Sequence, residues 1–303
     1  MIPKTRFLLI LFLYFAASLF SFAAETLRVA SFNAQNYNLL NFRRVEGRTE
    51  PDYPKPEAEK KALRFMILAA NADVLALQEI GGEPFVKELC RDLARSGFPY
   101  PHTAVLSGPD PSRQLAILSR RPFKHVWRYP EIKLNPKTAQ NNPLCVARGL
   151  LGVTLDTPAG ELFFYTVHLK SRLDSKGDPL SANRRLAEAD AICRILSTNH
   201  PPRNLPARVL VAGDFNDDPH AAPLRRFTYA KRPPALFMLP ARDSRNETWT
   251  YRNFRNDYYS RSDYFLYSAA LEPHLRKPAK IADLPASEHA SDHRLLIAEL
   301  NFP

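Results

Sequence analysis

The stretch Ala207-Arg208-Val209-Leu210-Val211-Ala212-Gly213-Asp214-Phe215-Asn216 runs from a β-branched, apolar segment into an acid and an amide. Its first six residues suit a buried strand, so Asp214 and Asn216 fall where the chain leaves a sheet. Two residues apart in an extended chain, they point the same way. Ser291-Asp292-His293, ahead of another apolar run, repeats the pattern with an acid and an imidazole.

Working outward, other apolar segments end in polar groups. Thr26 to Phe32 alternates and ends in Asn33, Asp73 to Gln78 reads as a buried strand delivering Glu79, and Leu162 to Leu169 carries His168 with Lys170 just beyond. Taken singly, such residues are mostly caps and turn formers. Five strand ends of this kind in one chain are harder to assign to turns.

Between them, apolar spacing at Ala62, Phe65, Met66 and Ala69 predicts a helix over 57–70, Pro84 starts one reaching about Ser96, and a long helical pattern covers 181–197. Strands are expected at 115–118, 146–155 and 162–169, the last two joined by Pro158-Ala159-Gly160, and around 248–252, 262–267 and 294–300. Segments 37–56 and 219–247 read mainly as loop, the latter with short helix. Strands and helices alternate, yet several strands are hairpin-linked, which favours mixed sheets. The expected fold is an α/β four-layer sandwich, with two mixed, mainly antiparallel β-sheets face to face and helices outside.

Lys4 and Arg6, an apolar run to about Phe20 and Ser21-Phe22-Ala23 read as a cleavable export signal, 1–23. As an uncleaved membrane anchor, the alternative, this run is short against the roughly 20 residues of a spanning helix. Cleavage removes two positive charges and no acid, taking the formal charge from +11 to +9. A basic balance favours anionic partners or is simply solvated surface. No internal repeat or linker-like composition shift divides the rest, so one domain, 24–303, is expected. Cys90, Cys145 and Cys193 allow one disulfide at most and lack zinc-finger spacing; they read as small buried apolar residues.

Six segments in order, Ser31-Phe32-Asn33, Leu77-Gln78-Glu79, Thr166-Val167-His168-Leu169-Lys170-Ser171, Gly213-Asp214-Phe215-Asn216, Ser262-Asp263-Tyr264-Phe265-Leu266 and Ser291-Asp292-His293, resemble the endonuclease/exonuclease/phosphatase superfamily, deoxyribonuclease I-like, from about Leu27 to Leu300. The resemblance implies that Glu79 is the main ligand of a hard divalent cation, Mg2+ or Mn2+, with Ca2+ a further candidate, and that Asn33 and Asp292 complete or support that site. It implies that Asp214 and Asn216 orient the attacking water and hold a phosphate oxygen. His293 would be general base or phosphate contact, with Asp263 fixing its tautomer, and His168 would donate to phosphate or assist the leaving group. Deoxyribonuclease I-like enzymes pair this middle histidine with an acid from the preceding segment. Here only Asp110 lies nearby in sequence, a departure that leaves the role of His168 open.

Lys170, Arg172 and Arg148 are candidate substrate-phosphate contacts, against the blander reading of solvated cations; Arg113 is a similar case. Trp249, Tyr251 and Phe254, interleaved with Arg252 and Arg255, would stack bases or lie in the core. The expected function is an exported periplasmic or extracellular phosphoesterase, foremost a nuclease of DNA or RNA using in-line attack of an activated water. The alternatives are a sphingomyelinase-like lipid phosphodiesterase, a phosphomonoesterase or a non-catalytic secreted polyanion-binding module. No loop of clustered exposed aromatics is evident for a lipid enzyme. Nucleic acid is the expected partner, as substrate, of a monomer with no stable protein partner and no membrane contact after signal cleavage.

Overall fold

The computed structural model describes residues 25–135, 145–201, 206–228 and 235–303. The expected leader lies outside them, as do residues 229–232 of the basic stretch 225–232. One sheet has seven strands, in the order β12 (Ala241–Arg242), β16 (Leu275–Ile281), β17 (Leu296–Phe302), β1 (Glu25–Tyr37), β4 (Val74–Ile80), β6 (Gln114–Ser119) and β5 (His102–Leu106). The other has six: β11 (Leu236–Met238), β15 (Asp263–Ser268), β10 (Arg208–Asp214), β9 (Gly160–His168), β8 (Leu150–Thr157) and β7 (His125–Tyr129). Parallel pairing joins β1 to β4, β9 to β10 and β12 to β16; every other pair in these sheets is antiparallel.

Strand parity sorts the apolar residues into three clusters. Leu27, Val29, Val74, Ala76, Val153, Phe164, Leu210, Ala212 and Phe265 form the layer between the sheets. On the outer face of the first sheet, Phe32, Leu75 and Leu77 pack with Leu63 and Ile67 of α1 (Glu57–Ala70) and Val86 and Leu89 of α2 (Glu83–Arg95). On the outer face of the second, Tyr165, Val167, Val209 and Val211 pack with α3 (Ala182–Asn199) and α4 (Ala222–Thr228). A short α5 (Ser287–Ala290) precedes β17. The result is the expected helix, sheet, sheet, helix sandwich.

The structure departs from expectation in short elements. Segment 37–56 is a two-stranded ribbon, β2 (Asn41–Val45) and β3 (Arg48–Tyr53), and not a loop. Its turn places Glu46 (φ 49°) and Gly47 (φ 80°) both in the left-handed region that two-residue hairpins require. Segment 219–247 contains β11 and β12 besides its helix. A second ribbon, β13 (Tyr251–Asn253) with β14 (Tyr258–Ser260), stands apart from both sheets. Strand β8 begins at Leu150, four residues later than predicted. Cys90, Cys145 and Cys193 are all free thiols, partly buried, so no disulfide forms. Among the described residues no helix is long and apolar enough to cross a membrane.

Candidate active site

The parity that builds the inter-sheet layer also builds the site. In β1, Leu27 and Val29 face the opposite sheet, and continuing by twos brings Ser31 and then Asn33 to the same face. Likewise Leu162 and Phe164 lead to Thr166 and His168, Leu210 and Ala212 lead to Asp214, and Phe265 shares its face with Asp263. Four strands thus turn from apolar to polar at one end of the sandwich. Gln78 braces this boundary, its amide donating to Ser31 Oγ on the neighbouring strand (3.3 Å) and across the layer to Thr166 Oγ1 (2.9 Å).

Two residues reach the site by breaking parity. Glu79 would point outward with Leu75 and Leu77, but its φ of 59° turns the backbone and redirects the carboxylate. Asn216 meets Asp214 through a left-handed bend (φ 53°), and not through the extended spacing expected from the sequence. Its amide donates to Asp214 Oδ2 (3.1 Å) and Leu169 O (3.0 Å), while its backbone N–H donates to Asp214 Oδ1 (2.8 Å). Left-handed backbone at non-glycine residues costs on the order of 1 kcal/mol or more and recurs at functional sites.

Asp214 is the hub. Its Oδ2 receives the Asn33 amide (3.0 Å) and lies 3.5 Å from His168 Nε2 and 3.7 Å from His293 Nε2. His293 Nδ1 is 2.8 Å from Asp263 Oδ2, which also accepts the Thr250 hydroxyl (2.7 Å). Glu79 accepts from Asn33 (3.4 Å) and the Asn36 N–H (3.0 Å), and its Oε1 is 3.8 Å from His168 Nε2. The expected residues Asn33, Glu79, His168, Asp214, Asn216, Asp263 and His293 therefore converge, and Asp292 adjoins them, held by a bond from its N–H to Gln35 Oε1 (3.0 Å).

Burial sets the charges. It pushes Asp214 up to about 7, more than the His293 imidazolium pulls it down. Burial opposes charge on His293 too, but the Asp263 and Asp214 carboxylates outweigh it and hold that imidazole well above its ordinary value. His168 is driven the other way, first by burial and then by Arg148, His293 and Arg113, and is neutral. Its Nδ1 is buried with no hydrogen-bond partner. Asp110, the acid nearby in sequence, is committed to Arg148 (3.1 Å) and Arg113 (3.9 Å).

The cationic candidates divide. Arg172 is tied to Asp218 (2.7 Å) and Asp217 (3.1 Å), which compete with a phosphate for its guanidinium. Lys170 Nζ donates to Ser171 (3.2 Å to Oγ), and burial, aided by Arg148, pushes its pKa down. Arg148 keeps Nε and Nη1 buried and unpartnered beside His168, two unspent donors against the single Nε that Arg172 leaves unpaired.

Several contributors were invisible in the sequence. Gln35 (φ 45°) donates its N–H to Asn33 Oδ1 (3.0 Å), holds Asp292 with its side chain and accepts Lys55 Nζ (3.0 Å) on its carbonyl. The Lys55 side chain is fully buried, paired with Glu59 (3.1 Å), and its charge acts on Asp292 and Glu79. Glu188 of α3 clamps the N–H of Ala147 (3.1 Å) and Lys170 (2.8 Å), fixing the backbone beside Arg148 and His168. Nothing in local pattern marks these residues, since each acts across long chain separation. The aromatics at 249–254 also differ from a core role: Tyr251 packs on His293 at 5.0 Å, and Phe254, Tyr258 and Tyr259 are exposed on the β13–β14 ribbon. That exposed cluster overturns the expectation that there is none.

Glu79 and Asp292 fit a hard divalent cation, being converging oxygen donors whose mutual repulsion helps burial raise the Asp292 carboxyl. Asn33, as oriented, presents N–H to Glu79 and Asp214 and so bridges the carboxylates; its Oδ1 faces the Gln35 N–H. Asp214, Asp263 and His293 are also close enough to share an ion, but the hydrogen bond from His293 to Asp263 spends the donors an ion would need.

In sequence, the profile of the Endonuclease/Exonuclease/phosphatase family matches residues 30–293. No curated protein matches the chain. In structure, the chain is similar to the human Nocturnin catalytic domain, at 19% identity and TM-score 0.63 over 93% of this chain and 98% of that one. It is similar to truncated Caenorhabditis elegans TDP2 (17%, TM-score 0.58, 91% and 97% covered) and to a mannosyl-6-phosphatase of Bacteroides thetaiotaomicron (16%, TM-score 0.60, 91% and 100% covered). At these identities the likeness is one of fold.

Proposed function

The chain belongs to the endonuclease/exonuclease/phosphatase family, and on that premise we propose that it is an exported, divalent-metal-dependent nuclease that hydrolyses phosphodiester bonds of DNA or RNA. Enzymes of the family are phosphoester hydrolases that generally use divalent metals. The observation that carries the reading is the convergence of Asp214, His293 and His168 within 3.7 Å of one carboxylate oxygen, with Asp263 behind His293 and Glu79 alongside.

In this reading Asp214, poised near neutrality and held by Asn216 and Asn33, accepts the proton of the attacking water as the bond from phosphorus to the leaving oxygen breaks; that oxygen takes a proton from solvent, to which Asp214 returns its own. His293, kept cationic by Asp263, donates to a non-bridging phosphate oxygen, and neutral His168 donates from Nε2 to a second. Arg148, with two donors unspent, is the favoured phosphate contact. Glu79 and Asp292 would hold Mg2+ or Mn2+, which supplies charge to a phosphate oxygen. The basic balance of the chain, +11 over all residues, supports a polyanionic substrate.

The test is the purified chain with Mg2+ or Mn2+ against supercoiled plasmid, linear DNA, RNA, sphingomyelin and bis-p-nitrophenyl phosphate. Plasmid nicking that EDTA abolishes is expected. Cleavage of sphingomyelin alone would sink the nuclease reading.

A further inference from the structure

The β13–β14 ribbon is stitched to the site at its base. Thr250 bonds Asp263, the Tyr251 ring lies 5.0 Å from that of His293, and the Arg252 N–H donates to Asp292 O (2.9 Å). Its register, Tyr251 opposite Ser260, Arg252 opposite Tyr259 and Asn253 opposite Tyr258, divides the side chains between two faces. On the face turned away from His293, Arg252 lies over Phe254 (5.1 Å) and Tyr259 (5.2 Å), Tyr259 packs on Trp249 (4.8 Å), and Arg252 pairs with Glu288 of α5 (2.9 Å), so its aromatics are engaged by their own chain although Phe254 and Tyr259 stay partly exposed. The other face carries Tyr251, against His293, then Asn253 and Tyr258, a residue 49% exposed. Tyr258 is near enough to Arg172, beyond β9, for its phenol to act on that guanidinium.

We propose that this second face is a nucleobase shelf, on which Tyr258 stacks the base next to the scissile phosphate while Asn253 offers its amide to the base edge. The inference rests on the phosphodiesterase reading above and names the part of the substrate that the ribbon recognises. An aromatic face suits any base, since every base has a π-face, and Tyr258 continues the line from the catalytic imidazole through Tyr251. A bilayer is the poorer occupant: the turn of the ribbon, Phe254-Arg255-Asn256-Asp257, has one apolar residue against three polar ones, and insertion would bury Asp257, which pairs with Arg252 (2.9 Å).

Two substrates with one leaving group separate the possibilities: thymidine 5′-(p-nitrophenyl phosphate) and methyl p-nitrophenyl phosphate, each with Mg2+ or Mn2+. The wild type is expected to favour the nucleoside ester. Tyr258→Ala should lower kcat/KM for that ester roughly tenfold to a hundredfold, through KM, and leave the methyl ester unchanged, while Tyr258→Phe keeps wild-type behaviour. Equal loss on both esters, or none on either, would overturn the shelf. Calorimetric binding of the dinucleotide TpT in EDTA gives a readout without turnover, expected to weaken in Tyr258→Ala and not in Tyr258→Phe; unchanged binding overturns the inference. If the wild type hydrolyses neither ester, the phosphodiesterase reading fails while TpT binding still decides the shelf. Tyr258-dependent binding to sphingomyelin vesicles, with none to TpT, would assign the ribbon to lipid instead.

Discussion

His293 and Asp263 form the shortest contact between catalytic side chains, 2.8 Å, in a place where neither reaches bulk water. Asp263→Asn keeps the shape but removes the charge that holds the imidazolium, so phosphodiester hydrolysis should fall on the order of a thousandfold while the thermal midpoint changes little. Turnover within a few-fold of wild type would remove His293 from the proposed chemistry. At Gly213 (φ 140°) a Cβ would stand 2.0 Å from the carbonyl oxygen of Val167. Gly213→Ala should therefore destabilise by about 2 kcal/mol or more and displace Asp214, measurable as a lower denaturant midpoint at unchanged slope. Residue types and order were enough to single out Asn33, Glu79, His168, Asp214, Asp263 and His293. They did not reveal Gln35 or Lys55, because a glutamine in a left-handed bend and a buried lysine have no periodic signature.

At the scale of elements, α3 ends on His200, whose ring meets the Tyr165 hydroxyl at 3.0 Å and packs on Phe163. Burial pushes this imidazole down to about 4. A depressed folded pKa means that its contribution is intact above the unfolded value near 6.5 and is lost as pH falls toward 4, because the unfolded chain takes up the proton first. The loss reaches up to about 3 kcal/mol at pH 4. The thermal midpoint of His200→Gln should thus fall less than that of the wild type between pH 7 and pH 4; parallel curves would dissociate His200 from acid sensitivity. The long helices and central strands were legible because each alternates or repeats toward one buried layer. Strand β16, with Arg276, Lys277 and Lys280 largely exposed, alternates only over its last residues, and the ribbons β2–β3 and β13–β14 stand outside the two large sheets and carry no apolar period of two in their sequences.

For the whole molecule, the inter-sheet layer both holds the sandwich together and sets the spacing of the site, since Asn33 and Glu79 come from one sheet and His168, Asp214 and Asp263 from the other. Phe164, fully buried in that layer, should cost about 3–5 kcal/mol when replaced by Ala, seen as a lower thermal midpoint. If polyanions are the substrate, affinity for a 20-mer DNA should fall steeply between 50 and 200 mM salt, as counterion release requires; a flat response would favour a small phosphoester. By itself the sequence determined the fold class and the polar strand ends, because period-two burial and residue chemistry are local properties. Only the tertiary structure decided that Glu79 turns inward by a left-handed backbone, that Asp110 serves Arg148 and leaves His168 Nδ1 without an acid, and that Tyr251 packs on His293 while Phe254, Tyr258 and Tyr259 are exposed on a ribbon outside the core. Those outcomes depend on which sheet faces which, and that pairing of distant segments is a property of the packed chain as a whole.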